Sequence, residues 1–236
     1  MGGMVHSSYP EAAARELTTT EGWQTGKPVD LYFFDLDKTL YAYDFRRRLP
    51  ALATMLGSSQ YHLARSWWAD GYEARAEVGE WPTPDEYLDQ FASITGTRRL
   101  DLEEWAAARR AAMTRIDGSV AALRRAAELG TVCLLSNNPA ATGAALPLLI
   151  PDVLEILGGN VLVSFMLGVR KPEPELYHRA LARFGAEPGD AFLADDSAAN
   201  VEGARAVGMT AHRLVAVDGV YQTDDLLAAI EGFAAR

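Results

Sequence analysis

Apolar and polar positions change their period twice along this chain. Leu31-Tyr32-Phe33-Phe34 is a continuous apolar run, the pattern of a strand buried on both faces, and a strand is expected over about 29–35. From about 45 to 115 the apolar residues recur at helical spacing, with no good strand among them. The spacing predicts four helices there. The first covers 45–56 and stops near Gly57; the second is capped by Ser58 or Ser59 and runs to about 78. The third opens at Thr83-Pro84-Asp85-Glu86, with Thr83 as N-cap, Pro84 at the first helical position and Glu86 closing a capping box. The fourth covers about 101–115. Four helices in succession suggest a small antiparallel bundle.

After Asp117-Gly118 the pattern alternates. Helices are expected over 120–129 (stopped by Gly130), from Pro139 onward, over 173–184 (stopped by Gly185), over 201–207 (stopped by Gly208) and over 224–235. Strands are expected over 131–135, 160–164, 191–194 and 210–214. Such alternation argues for an α/β fold with a parallel sheet covered on both faces. The chain thus divides into a polar, irregular arm at 1–27, an α/β core at 28–44 and 116–236, and an inserted helical domain at 45–115.

Composition narrows the function. The 236 residues carry a formal net charge of −10, which argues against a nucleic-acid or anionic-membrane surface and means that an anionic substrate needs local positive charge. No apolar run approaches the roughly 20 residues that cross a bilayer. The first residues show no basic-then-apolar signal pattern, so a cytoplasmic protein is expected. The single cysteine, Cys133, lies in an apolar run and reads as a buried, inert thiol.

In a parallel sheet, ligands bind beyond the carboxyl ends of the strands. The conspicuous polar residues follow strands: Asp35 and Asp37, Ser136 and Asn137, Asp195 and Asp196. Asp35 and Asp37 lean to the same side of their strand, and two converging carboxylates are costly unless a cation or a reaction uses them. Lys171 adds an ammonium from the loop between the 160–164 strand and the following helix. Several carboxylates, a hydroxyl with adjacent N–H groups and one ammonium suit Mg²⁺ and phosphoryl transfer. In that chemistry Asp35 is the nucleophile and Asp37 the general acid and base. Ser136 and nearby N–H groups hold phosphoryl oxygens, and Lys171 neutralises charge.

The set resembles the haloacid dehalogenase (HAD) superfamily, whose four motifs stand here in order. They are Asp35-Leu36-Asp37-Lys38-Thr39, the apolar strand ending in Ser136-Asn137, Lys171 followed by Pro172, and Asp195-Asp196-Ser197 with Asn200 beyond. The resemblance covers about 29–215. It implies a Rossmann-like core with an inserted helical cap closing over a small phosphorylated substrate. It also implies Mg²⁺ held by Asp35, the backbone carbonyl of Asp37 and Asp196, with Asp195 beside the metal and Asn200 supporting that loop. Thr39, Asn137 and Arg46 are the expected substrate contacts.

The carboxylate at Asp37 favours a phosphatase over a dehalogenase, because a halide leaving group needs no proton. A phosphomutase would share every motif. A phosphoacceptor domain that stores the phosphoryl group and signals to a partner uses similar residues, but it has no need of a 70-residue helical insertion.

In the insertion, Arg46-Arg47-Arg48 reads as a solvated basic turn, or as one or more arginines meeting a substrate anion. Trp68 and Tyr72, four apart, share a face that reads as bundle core. Trp81 and Trp105 read as packing residues, Glu73, Arg75 and Glu77 as a solvated helix face, and His62 and His212 show no metal-site spacing. The sequence leaves the oligomeric state open between monomer and homodimer.

Overall fold

The computed structural model describes residues 30–236, so the expected arm at 1–27 and the first two residues of the expected core lie outside the described residues. The strands in chain order are β1 (Leu31–Phe34), β2 (Tyr41–Tyr43), β3 (Met113–Arg115), β4 (Thr131–Ser136), β5 (Val161–Val163), β6 (Ala191–Asp195), β7 (Thr210–Arg213), β8 (Ala216–Val217) and β9 (Val220–Tyr221). Five of them form a parallel sheet in the order β5-β4-β1-β6-β7.

β1 lies at the centre because it can bury both faces. Its side chains alternate: Tyr32 and Phe34 pack with Val120, Leu123, Ile230 and Phe233, from the Asp117–Leu129 and Thr223–Ala234 helices. Leu31 and Phe33 pack on the opposite face with Leu176, Tyr177, Val201 and Ala204, from the Pro174–Ala182 and Ala198–Ala206 helices. Each such buried side chain contributes roughly 1.5–3 kcal/mol, and that apolar anchor offsets the cost of the carboxylates placed at the strand's end. β1 and β4 begin in close register: a Cβ at Gly130 would lie 2.1 Å from the Asp30 carbonyl oxygen. No single helix among the described residues is long and apolar enough to cross a membrane.

The inserted region departs from a four-helix bundle. Phe45–Leu56 is a helix capped by the Asp44 side chain and ended by Gly57 in the left-handed conformation. Pro84–Thr95 and Leu102–Arg110 each begin with a capping box, from Thr83/Glu86 and Asp101/Glu104. The expected second helix is broken. Gln60–Leu63 runs into a wide π-helical turn over Ala64–Ala69, and the chain turns at Gly71 (φ 81°) before the short Tyr72–Ala76 helix. The break shifts the aromatic register. Trp67, not Trp68, stacks on Tyr72, with centroids 5.6 Å apart, while Trp68 meets Phe45 edge-on at 4.8 Å. Trp67 also packs on Tyr87 and Phe91, and Trp105 joins them in the insertion's own core.

The fourth helix ends at Arg110 rather than near 115. Met113–Arg115 instead pairs antiparallel with β2, Tyr41 opposite Arg115, and forms a two-stranded ribbon at the root of the insertion. The expectation of no strand in 45–115 is therefore corrected. β3 finds its partner about seventy residues earlier, a pairing that local periodicity cannot register.

Candidate functional site

β4, β1 and β6 are adjacent and parallel, so their carboxyl ends converge. Asp35 follows β1, and its N–H donates to the Ala194 carbonyl (3.0 Å), extending the ladder into the site. Ser136 ends β4 and Asp195 ends β6. Lys171, from the loop before the Pro174–Ala182 helix, reaches between them. Its Nζ donates to Asp35 Oδ1 (2.7 Å), Asp195 Oδ2 (2.6 Å) and the Leu135 carbonyl (2.7 Å). An ammonium has three protons to donate, and all three have acceptors here. The Lys171 side chain is 1% exposed.

The electrostatics follow. Burial pushes the Asp35 carboxyl up to about 7; the Lys171 charge opposes this, and the Asp195 and Asp37 charges add to it. Burial works against the Lys171 charge, but the Asp35 and Asp195 carboxylates outweigh it and hold the ammonium above its ordinary range.

Asp195 is fully committed to this framework. Besides Lys171, Asn200 Nδ2 donates to both of its oxygens (2.9 and 3.1 Å), and the Ser197 N–H donates to Oδ1 (2.9 Å). It is wholly buried and anchors Lys171 beside Asp35 and Asp196. Asp196, next in the chain, is half-buried, and burial followed by the neighbouring Asp195 charge pushes its carboxyl up.

Asn137 is likewise taken. Its Nδ2 donates to the Lys171 carbonyl, and its Oδ1 accepts from the Lys171 N–H, both at 2.9 Å. The side chain of this expected substrate contact thus clamps the Lys171 loop. A second constraint on that loop is the close approach at Gly203, where a Cβ would lie 2.6 Å from the Pro172 carbonyl oxygen. The buried Thr39 hydroxyl has no hydrogen-bond partner among the described residues.

Two residues of the site were not foreseen. Asn138 donates from Nδ2 to Ser136 Oγ (2.9 Å) and at 3.5 Å to Asp37 Oδ2. Arg109, near the end of the Leu102–Arg110 helix, donates from Nη2 to both oxygens of Asp37, at 2.9 and 2.6 Å. Its side chain is 2% exposed, and its guanidinium lies over the Tyr43 ring at 4.9 Å. The sequence offered a basic pair inside the expected 101–115 helix, and nothing in its spacing pointed to a carboxylate in the core. Asn138 carried a fainter signal: it directly follows Ser136-Asn137 at a strand end.

Arg46, expected at the substrate, is not brought there. Its side chain is 90% exposed and pairs with Asp44, the N-cap of its own helix. Glu73 and Glu77 are not a solvated face. Glu73 Oε2 accepts from Trp67 Nε1 (2.6 Å) and the Tyr87 hydroxyl (2.7 Å). Glu77 lies 3.0 Å from Arg170 Nη1, and burial pushes its carboxyl up to about 7.

Among the described residues, no three acidic, histidine or cysteine side chains already converge as a metal cluster. The donors nevertheless fit a hard divalent cation. Mg²⁺ takes one or two protein carboxylates, completes its shell with waters and substrate oxygens, and needs no preformed cage. The carboxylates of Asp35, Asp37, Asp195 and Asp196 outnumber the two buried cations that pair with them, Lys171 and Arg109. A divalent cation would relieve that excess.

A family model described as haloacid dehalogenase-like hydrolase matches residues 29–208. The chain belongs to the haloacid dehalogenase-like hydrolase family. Phosphatase MT3486 of Mycobacterium tuberculosis is 30% identical over 209 residues, 84% of this chain and 91% of that relative. The fold matches that of the HAD family enzyme bt-2542 of Bacteroides thetaiotaomicron, solved with magnesium and inorganic phosphate. The TM-score is 0.65 at 21% identity, covering 80% of this chain and 96% of that one. It also matches L-2-haloacid dehalogenase of Xanthobacter autotrophicus, with a TM-score of 0.51 at 17% identity over 81% and 80% of the two chains. This HAD-like chain is thus a hydrolase, and the likeness to both solved enzymes is one of fold.

Proposed function

We propose that this hydrolase is a Mg²⁺-dependent phosphatase of a small phosphorylated metabolite, acting through an aspartyl-phosphate on Asp35. The observation that carries the reading is the pair of carboxylates in different environments. Asp35 is buried against Lys171, and Asp37 stands a quarter exposed on Arg109. A nucleophile needs the first environment, and a group exchanging protons with the leaving oxygen and with water needs the second. The relative named a phosphatase and the solved magnesium and phosphate complex of a HAD family enzyme support the same reading.

Lys171 holds Asp35 Oδ1, which leaves the other oxygen to attack phosphorus. As that O–P bond forms, the ester P–O bond breaks and Asp37 gives its proton to the leaving oxygen. Asp37 then takes a proton from water, the water oxygen bonds to phosphorus, and the bond to Asp35 breaks to release phosphate. The Ser136 hydroxyl, oriented by Asn138, and neighbouring N–H groups hold the phosphoryl oxygens. Asp35, the Asp37 carbonyl and Asp196 would hold the Mg²⁺, which supplies neutralising charge beside the phosphoryl oxygens. The insertion at 45–115 acts as the cap, with Arg109 and Glu77 joining it to the core.

The test is phosphate release from a panel of phosphorylated sugars, nucleotides and small acids, with p-nitrophenyl phosphate as generic substrate, with and without Mg²⁺. Release that needs Mg²⁺ and falls steeply in Asp37→Asn on esters with poor leaving groups is expected. Interconversion of phosphate positions without release would replace the phosphatase by a phosphomutase.

A further inference from the structure

The insertion holds a cluster of buried hydrogen-bond donors that lacks acceptors. Arg48, third of the basic run at 46–48, turns inward where Arg46 and Arg47 stay exposed. It is 2% exposed, its guanidinium lies 4.3 Å from the Trp105 ring centroid, and Nη1 donates to the Tyr43 hydroxyl at 3.0 Å. Its Nε and Nη2 have no partner among the described residues. Neither do Trp105 Nε1 and Arg109 Nε, both buried. Tyr43 links the group: Arg48 bonds its hydroxyl and Arg109 covers its ring. The neighbouring Glu73 accepts from Trp67 and Tyr87 through Oε2, and its charge faces Arg48 without filling these N–H positions. Two buried guanidiniums and an indole thus keep four N–H positions without a partner among the described residues, and a charged acceptor oxygen would bond them most strongly. Arg109 also bonds Asp37, so the cluster begins beside the group that serves the leaving oxygen.

We propose that Arg48, with Arg109 and Trp105, forms a binding site for a second anionic group on the substrate's leaving portion, a carboxylate or a second phosphate. The proposal rests on the phosphatase reading and adds the substrate class: phosphate monoesters that carry a further anion.

The test compares matched esters on the full chain with Mg²⁺. One member of each pair carries the second anion and the other a neutral hydroxyl. The pairs are 2-phosphoglycolate with 2-hydroxyethyl phosphate, 3-phosphoglycerate with glycerol 3-phosphate, and 1,3-propanediol bisphosphate with 3-hydroxypropyl phosphate. Charge-assisted bonds of this kind correspond to about a ten- to hundredfold preference in kcat/KM for the anionic member of at least one pair. The carboxylate and bisphosphate pairs tell the two anions apart. In Arg48→Met the ratio within that pair should fall below about threefold, with Arg48→Lys between. Because the ratio is taken within each protein, effects on shared machinery cancel. A wild-type ratio near one for every pair, or an unchanged ratio in Arg48→Met, would overturn the site. If Arg48→Met does not fold, the wild-type and Arg48→Lys ratios still decide. If no ester is hydrolysed, the phosphatase reading fails by itself. Calorimetric binding of the same pairs to Asp35→Asn with Mg²⁺ then decides the anion site, and equal binding of both members overturns it.

Discussion

Replacing Lys171 with Met removes the charge that two carboxylates share while keeping much of the side chain's length. Three donated bonds are lost, to Asp35, Asp195 and the Leu135 carbonyl, in a site where the lysine is 1% exposed. Breaking a buried pair from one side costs about 3–5 kcal/mol, because the remaining charge stays buried without compensation. The Asn137 clamp acts on the backbone of residue 171 and survives the substitution, so the loss is electrostatic rather than a collapse of the loop. The sign of the pH dependence follows. Without the ammonium, the Asp35 carboxyl, already pushed up by burial, rises further above its unfolded value, so the penalty is largest at high pH and shrinks as protonation removes the charge. Urea unfolding in the presence of a chelator should show a midpoint lower by on the order of 2 M at pH 8, with m unchanged, and roughly half that deficit at pH 5.5. A midpoint within about 0.3 M of wild type at pH 8, or a deficit that grows on acidification, would refute Lys171 as the shared counter-charge.

Other expectations follow from the same geometry. Asn137→Ala removes two bonds to the Lys171 backbone, so stability should fall by about 1–3 kcal/mol and kcat should drop with it, as read by denaturation and steady-state assay. Arg46→Ala, which unpairs a surface salt bridge, should leave kcat/KM within about twofold and stability within about 1 kcal/mol. Burial pushes the Asp35 carboxyl up to about 7, and a Mg²⁺ held by Asp35, as proposed, would compete with that proton. Apparent Mg²⁺ affinity measured by calorimetry should therefore rise nearly tenfold per pH unit below 7 and level off above it.

The sheet and the ends of its strands could be read from the sequence because they are local. The run at Leu31-Phe34, the strand ending in Ser136-Asn137 and the paired Asp195-Asp196 each announce themselves within a few residues. Residue types at a strand end do not say which neighbour claims a side chain. The sequence pointed to Asn137 and Asp195 as site groups but not to the contacts they make, one clamping the Lys171 loop and the other anchoring its ammonium. The basic run at 46–48 could be seen, but its division could not. A helix beginning at Phe45 sends Arg46 and Arg47 outward and Arg48 onto Trp105, and the insertion's packing decides which is which. Arg109 was hidden for a related reason: its partner, Asp37, lies 72 residues earlier and in a different layer. The π turn at Ala64–Ala69 has no residue signature of its own, and it moved the aromatic face from Trp68 to Trp67.

The most direct measurement is a single-turnover reaction with Mg²⁺ and an excess of enzyme over ³²P-labelled ester, quenched in acid and digested to locate the label. The expected result is a transient phosphoryl group on the peptide that contains Asp35, absent from Asp35→Asn, together with loss of phosphate release in that variant. Label on another residue, or phosphate release that persists in Asp35→Asn, would contradict Asp35 as the nucleophile.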